Sequence, residues 1–217
     1  MKILHLPLFF LISFSVLAQN LTEKTWTTDI KDKLTADLNN YLDATYLKDW
    51  NRVADMIYPG LYQISSKEEI IRAMQNGTKS MEYEIDIHPS SDMYIYPRYV
   101  EKDGKKYALI AYTNNFSMRF FKKPHENDLT FKGRMDYTYH NLQKYYTPDQ
   151  ITRGSEPGIF HFKIPKHILA IYLPETDSFT FIDFSNNLQK LELFKKILDK
   201  DIIKYFSEKI KSRPNRQ

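Results

Sequence analysis

The side chain best placed to do chemistry in this sequence is Asp183, which closes the run Phe179-Thr180-Phe181-Ile182-Asp183. It shares a two-residue alternation with Phe179 and Phe181, so its carboxyl points toward the same aromatic surroundings. Low polarity there would raise its pKa and suit it to general acid or base work. The preferred assignment is plainer: Asp commonly punctuates a strand end and caps the next segment. Tyr94, Tyr96, Tyr99, Tyr107 and Tyr112 have apolar bodies and hydroxyl tips, the build of pocket-lining residues, although Tyr also suits ordinary cross-strand packing. The candidate ligand-binding set is therefore Tyr94, Tyr96, Tyr112, Phe181 and Asp183, with Asp183 the one weak catalytic candidate.

Other chemistries lack their motifs. His88, His125, His140, His161 and His167 include no HExxH pair, and Pro165 separates His161 from His167, so no metal site is expected. Cysteine is absent, which removes disulfides, thiolate nucleophiles and Cys-ligated metals. There is no G-x-S-x-G elbow, phosphate loop or dinucleotide fingerprint in a chain with only 6 Gly, and no cofactor is expected. A binding role is preferred to an enzymatic one on these grounds.

The chain's length of 217 residues suits one sizeable domain with a real core. Its formal charge of +4 is mild and its Lys and Glu are interspersed, which argues against a nucleic-acid partner. Lys209, Lys211, Arg213 and Arg216 read as a solvated tail. The first residues put Lys2 before an apolar run from Ile3 to Leu17, ending in Val16-Leu17-Ala18. That pattern predicts a signal peptide cleaved after Ala18. The run is interrupted by His5, Pro7, Ser13 and Ser15 and falls short of the ~20 residues of a spanning helix, so no integral membrane span is expected after cleavage. A periplasmic or extracellular location is the consequence.

The elements that must position these side chains fall into two halves. Ile30, Leu34, Leu38 and Leu42 predict a helix over 28–45; Trp50, Val53, Ala54 and Ile57 predict a second, stopped by Pro59-Gly60. Ser66 and Glu69 form a capping box for a third helix, which Asn76-Gly77 should end. From Met81 the period becomes two. Strands are expected over 81–88 and 93–100, then a hairpin at Asp103-Gly104 and a long strand from Lys105, bulged at Asn114-Asn115. Residues 122–157 read as an insertion with a helix near 136–146. Three short strands should come next, split by Pro165-Lys166 and by Glu175-Thr176-Asp177, and then a C-terminal helical segment over 187–210 with Asp201 opening its last turns.

Tyr41-Leu42, "KDWNRVADMIYP", "SKEEIIRAM" and "SFTFIDF" together resemble the NTF2-like superfamily, the α+β cone shared by nuclear transport factor 2, ketosteroid isomerase and related polyketide cyclases, and in particular exported proteins of the Bacteroidetes. The resemblance implies one domain over 19–217, with helices covering a strongly curved, mainly antiparallel sheet and a funnel between them. In ketosteroid isomerase a catalytic carboxylate lies between the second and third helices. The matching positions here, Gln63 to Ser65, hold none. The reading that results is an exported binding module for a small apolar ligand or a protein. The alternatives are an isomerase, cyclase or hydrolase using Asp183, and a homodimer subunit with a filled funnel.

Overall fold

The computed structural model describes residues 21–185 and 187–212; the expected signal peptide, Arg213 and Arg216 lie outside the described residues. The fold is α+β, and its antiparallel sheet has seven strands among the described residues. The leucine spacing builds α1 (Thr28–Tyr46), whose Leu34 and Leu38 are fully buried. Asp49 caps α2 (Trp50–Met56) by accepting from Arg52 N, and a 3-10 turn comes after it at Pro59–Gln63. The capping box of α3 (Lys67–Thr78) is formed: Glu69 N donates to Ser66 Oγ at 3.2 Å and Ser66 N to Glu69 Oε2 at 2.9 Å. Asn76-Gly77 does not stop this helix, which runs to Thr78.

Before α1 comes a short strand, β1 (Thr22–Thr25), and after α3 come β2 (Tyr83–Ile95), β3 (Arg98–Lys102) and β4 (Lys105–Phe120). β2 is one strand through Pro89, where two were expected, and its irregularities lie between His88 and Tyr94. The bulge expected at Asn114-Asn115 is therefore on the neighbouring strand. β4 itself pairs with β6 (Ile159–Leu173) from Lys106↔Tyr172 to Arg119↔Ile159 without a shift.

β6 also runs straight through Pro165, where a break was expected. Lys163 N donates to Gln150 O, and His167 O accepts from Phe184 N. By alternation the Pro165 nitrogen faces that same edge, in the interval between the end of β5 (Ile151–Arg153) and the start of β7 (Ser178–Asp183), where no ladder partner needs an N–H.

β4 and β6 form the spine of the sheet. β2 and β3 share the outer edge of β4, and β5 and β7 share the far edge of β6. One face carries the even-numbered residues of the spine. Ala108, Ile110, Ile168 and Ala170 on it pack with Phe179, Phe181 and α1, while Phe160 and Phe162 farther along pack under Phe131 and Met135 of α4 (Asp128–Leu142). The expected helix at 136–146 thus begins earlier, capped by Asn127. The other face carries Leu109, Leu169 and Ile171, which pack against α5 (Leu188–Phe194) and α6 (Lys200–Ser212). Of the three N-terminal helices, α1 lies across the Phe179 and Phe181 side of the sheet; α2 adds Met56 there and packs on α1 through Ala44, Val53 and Ile57, and α3 has no fully buried residue.

Candidate functional site

The space between α1 and the sheet is occupied. Leu34, Leu38 and Phe181 are 0 % exposed and Phe179 is 2 %, and the Tyr41 ring lies tilted against Phe181 with centroids 5.0 Å apart. Asp183 keeps the same alternation to the end of this face, where it is exposed and paired. Lys190 Nζ is 2.7 Å from its Oδ2 and Lys166 Nζ is 3.7 Å away. Tyr112 lies directly across from Lys166 on the spine. Desolvation pushes the Tyr41 hydroxyl up to about 12, with the Asp183 charge adding to the effect. Tyr112 is also raised, by burial first and then by Tyr41 and Asp183. Both phenols are thus held protonated, as donors rather than bases.

A cavity of about 390 Å³ lies on the opposite face, roofed by α6. Its volume is within the range of small-molecule sites. Leu109 of the sheet and Phe206 of α6 line it from opposite elements, together with Tyr94 and Tyr96. The two tyrosines stand on the same side of the chain at the end of β2 and just beyond it, their rings edge to face at 5.3 Å. Tyr96 is fixed through its backbone: its N donates to Leu109 O at 3.1 Å, and its carbonyl accepts from Trp26 Nε1 at 2.8 Å.

Charge gathers at the mouth. Glu23 of β1 takes Arg98 Nη1 at 2.9 Å on one oxygen, and Lys209 Nζ at 3.0 Å on the other. Tyr205 Oη donates to that second oxygen at 2.5 Å. The Tyr205 hydroxyl, then Lys209 and Arg98, hold the Glu23 carboxyl down to about 2. A carboxylate so stabilised is a poor base near neutral pH.

Of the five sequence candidates, then, the structure brings Tyr94 and Tyr96 together on this cavity, places Tyr112 and Asp183 near each other at the end of the α1-covered face, and buries Phe181 in the core between α1 and the sheet. Sequence reasoning missed Glu23, Arg98 and Tyr205, and treated Lys209 as part of a solvated tail. The available signal was in α6, where Tyr205 and Lys209 stand one turn apart beside the apolar Phe206. β1 has no comparable signal, because Thr-Glu-Lys-Thr carries no apolar alternation.

Another polar cluster occupies the uncovered half of the same face. The Ser117 hydroxyl is within 2.6 Å of His88 Nε2 and 2.8 Å of His161 Nδ1, on strands flanking β4. Among the described residues no three His, Asp or Glu side chains form a group able to hold a metal ion. The link from Tyr58 to Ser66, where the isomerase carboxylate would fall, is structural: Tyr62 Oη donates to Ala54 O, and Ser65 Oγ to Glu69 at 2.9 Å. No protein-family model matches the chain, and no curated protein matches it. Among the described residues no helix is long and apolar enough to cross a membrane.

Proposed function

We propose that this chain is an exported NTF2-like protein that binds a small, largely apolar molecule in the cavity under α6 without changing it covalently. The observation that carries the reading is the cavity's lining, in which the buried Leu109 and Phe206 and the rings of Tyr94 and Tyr96 supply apolar surface beside the more exposed charges of Arg98 and Lys209. Such a division suits a ligand whose body is desolvated and whose polar end is oriented. What supports the family reading is the order of elements, three helices ahead of the long antiparallel strands β2 to β4, with α1 lying across one face. What supports export is the apolar run from Ile3 to Leu17 behind Lys2, with its small-residue ending at Ala18. The acid–base alternative built on Asp183 is less favoured, since that carboxylate is exposed and held by Lys190.

The test is titration of residues 19–217 with N-phenyl-1-naphthylamine, a neutral fluorophore that brightens when desolvated. Saturable binding at one site is expected, with affinity falling about tenfold in Tyr94→Ala through loss of one aromatic contact and its buried area. Absence of saturable binding, or equal binding by Tyr94→Ala, would sink the reading.

A further inference from the structure

We infer that the molecule taken by the cavity under α6 is an amphipathic anion, an apolar body bearing one negative headgroup such as a carboxylate or sulfonate. This rests on the binding reading and adds to it the chemistry of the ligand's polar end. The mouth holds two cations and one anion. Arg98 and Lys209 each contact a different oxygen of Glu23, and that carboxyl is held to about 2, so it stays ionised through neutral and mildly acid conditions. The trio therefore carries a formal charge of +1. The adjoining pair on β1 and β3, Lys24 and Glu101 at 2.5 Å, adds nothing to the balance.

The geometry leaves this charge usable. Glu23 engages one nitrogen of the Arg98 fork, which has five N–H donors, and the Arg98 side chain is 60 % exposed. Lys209 is 40 % exposed, with its ammonium 5.1 Å from the centre of the Tyr205 ring. A headgroup entering beside Glu23 meets both cations without displacing the carboxylate and completes a neutral set of two cations and two anions. An ammonium ligand meets net repulsion, although the aromatic wall alone would suit one. A neutral ligand gains from the walls and nothing from the rim. The body of the ligand then rests against Tyr94, Tyr96, Leu109 and Phe206.

Two fluorophores that share an aromatic body separate this inference from the one beneath it: neutral N-phenyl-1-naphthylamine and its sulfonated relative 8-anilinonaphthalene-1-sulfonate. The chain should bind the sulfonate about tenfold more tightly than the neutral amine, the worth of one charge-assisted hydrogen bond. Arg98→Gln with Lys209→Gln should erase that preference, the sulfonate losing about tenfold more than the amine. Glu23→Gln, which raises the rim charge, should tighten the sulfonate and not the amine, a gain that damaged folding cannot imitate. Equal affinity for the two probes, or a sulfonate affinity indifferent to both sets of variants, overturns the anionic assignment and leaves the cavity reading standing. Failure of the neutral amine to bind overturns both.

Discussion

Gly158 is where the fold makes its most exacting local demand. Its φ is +87°, and a Cβ there would come 2.6 Å from Phe131 Cζ and 3.1 Å from the Phe120 carbonyl oxygen. Its own carbonyl accepts from Phe120 N at 2.8 Å, so the turn is tied to the end of β4. Gly104 makes an instructive control, with φ +74° and nothing within 4 Å of a Cβ. For both residues Ala incurs the left-handed backbone cost of ~1–2 kcal/mol, partly offset by ~0.4–1 kcal/mol from a stiffer unfolded chain. Gly104→Ala should therefore destabilise by about 0.5–1 kcal/mol. Gly158→Ala adds overpacking against Phe131 and a backbone oxygen, ~1–3 kcal/mol, for a total of about 1.5–4 kcal/mol. Urea unfolding of the two variants beside the parent, compared at matched m-values, measures the difference directly. If Gly158→Ala falls within ~0.5 kcal/mol of Gly104→Ala, a gap smaller than any overpacking cost, Phe131 is free to move aside. The account of α4 as a seated layer of the core is then wrong.

Two other perturbations test separate parts of the fold. Gly133 lies inside α4 with open space around a Cβ, so Gly133→Ala should raise stability by ~0.8–1 kcal/mol on helix propensity alone; a lower urea midpoint would mean that the position is crowded. Folding lowers the Glu23 carboxyl from 4.5 to about 2, so its contribution to stability is complete above the ordinary value and drains away as pH falls through the folded one. The stability difference between the parent and Glu23→Gln should accordingly narrow as pH is lowered from 4.5 toward 2. A gap independent of pH would contradict the ion-pair assignment.

The parts of this structure legible in the sequence are those governed by neighbours along the chain. α1 arises from leucines four apart, and the cap of α3 from Ser66 and Glu69. The alternation that put Phe179, Phe181 and Asp183 on one face was also local, and all three keep to it. Continuity of strands was not local. Pro165 can sit within β6 because the strands on that side end before it and begin after it, which no pattern around Pro165 encodes. The start of α4 was obscured for another reason: Leu129 and Tyr137 are 80 % and 69 % exposed on the face away from Phe131 and Met135, so apolar residues on both sides flatten the helical period. The cavity depends on β1 and α6, which are far apart in sequence and are joined by Glu23 with Tyr205 and Lys209.

The pair of contacts at Ser117 restricts the two histidines beside it. A serine hydroxyl carries one hydrogen, yet two ring nitrogens lie within hydrogen-bonding distance of its oxygen. At least one further hydrogen must come from a ring. His88 Nε2 and His161 Nδ1 cannot both be bare while both contacts hold, so of the four combinations open to two neutral imidazoles one is forbidden. His88 and His161, far apart in the chain, therefore do not choose their tautomers independently: a bare inner nitrogen on one ring fixes the serine proton toward it and obliges the other ring to donate.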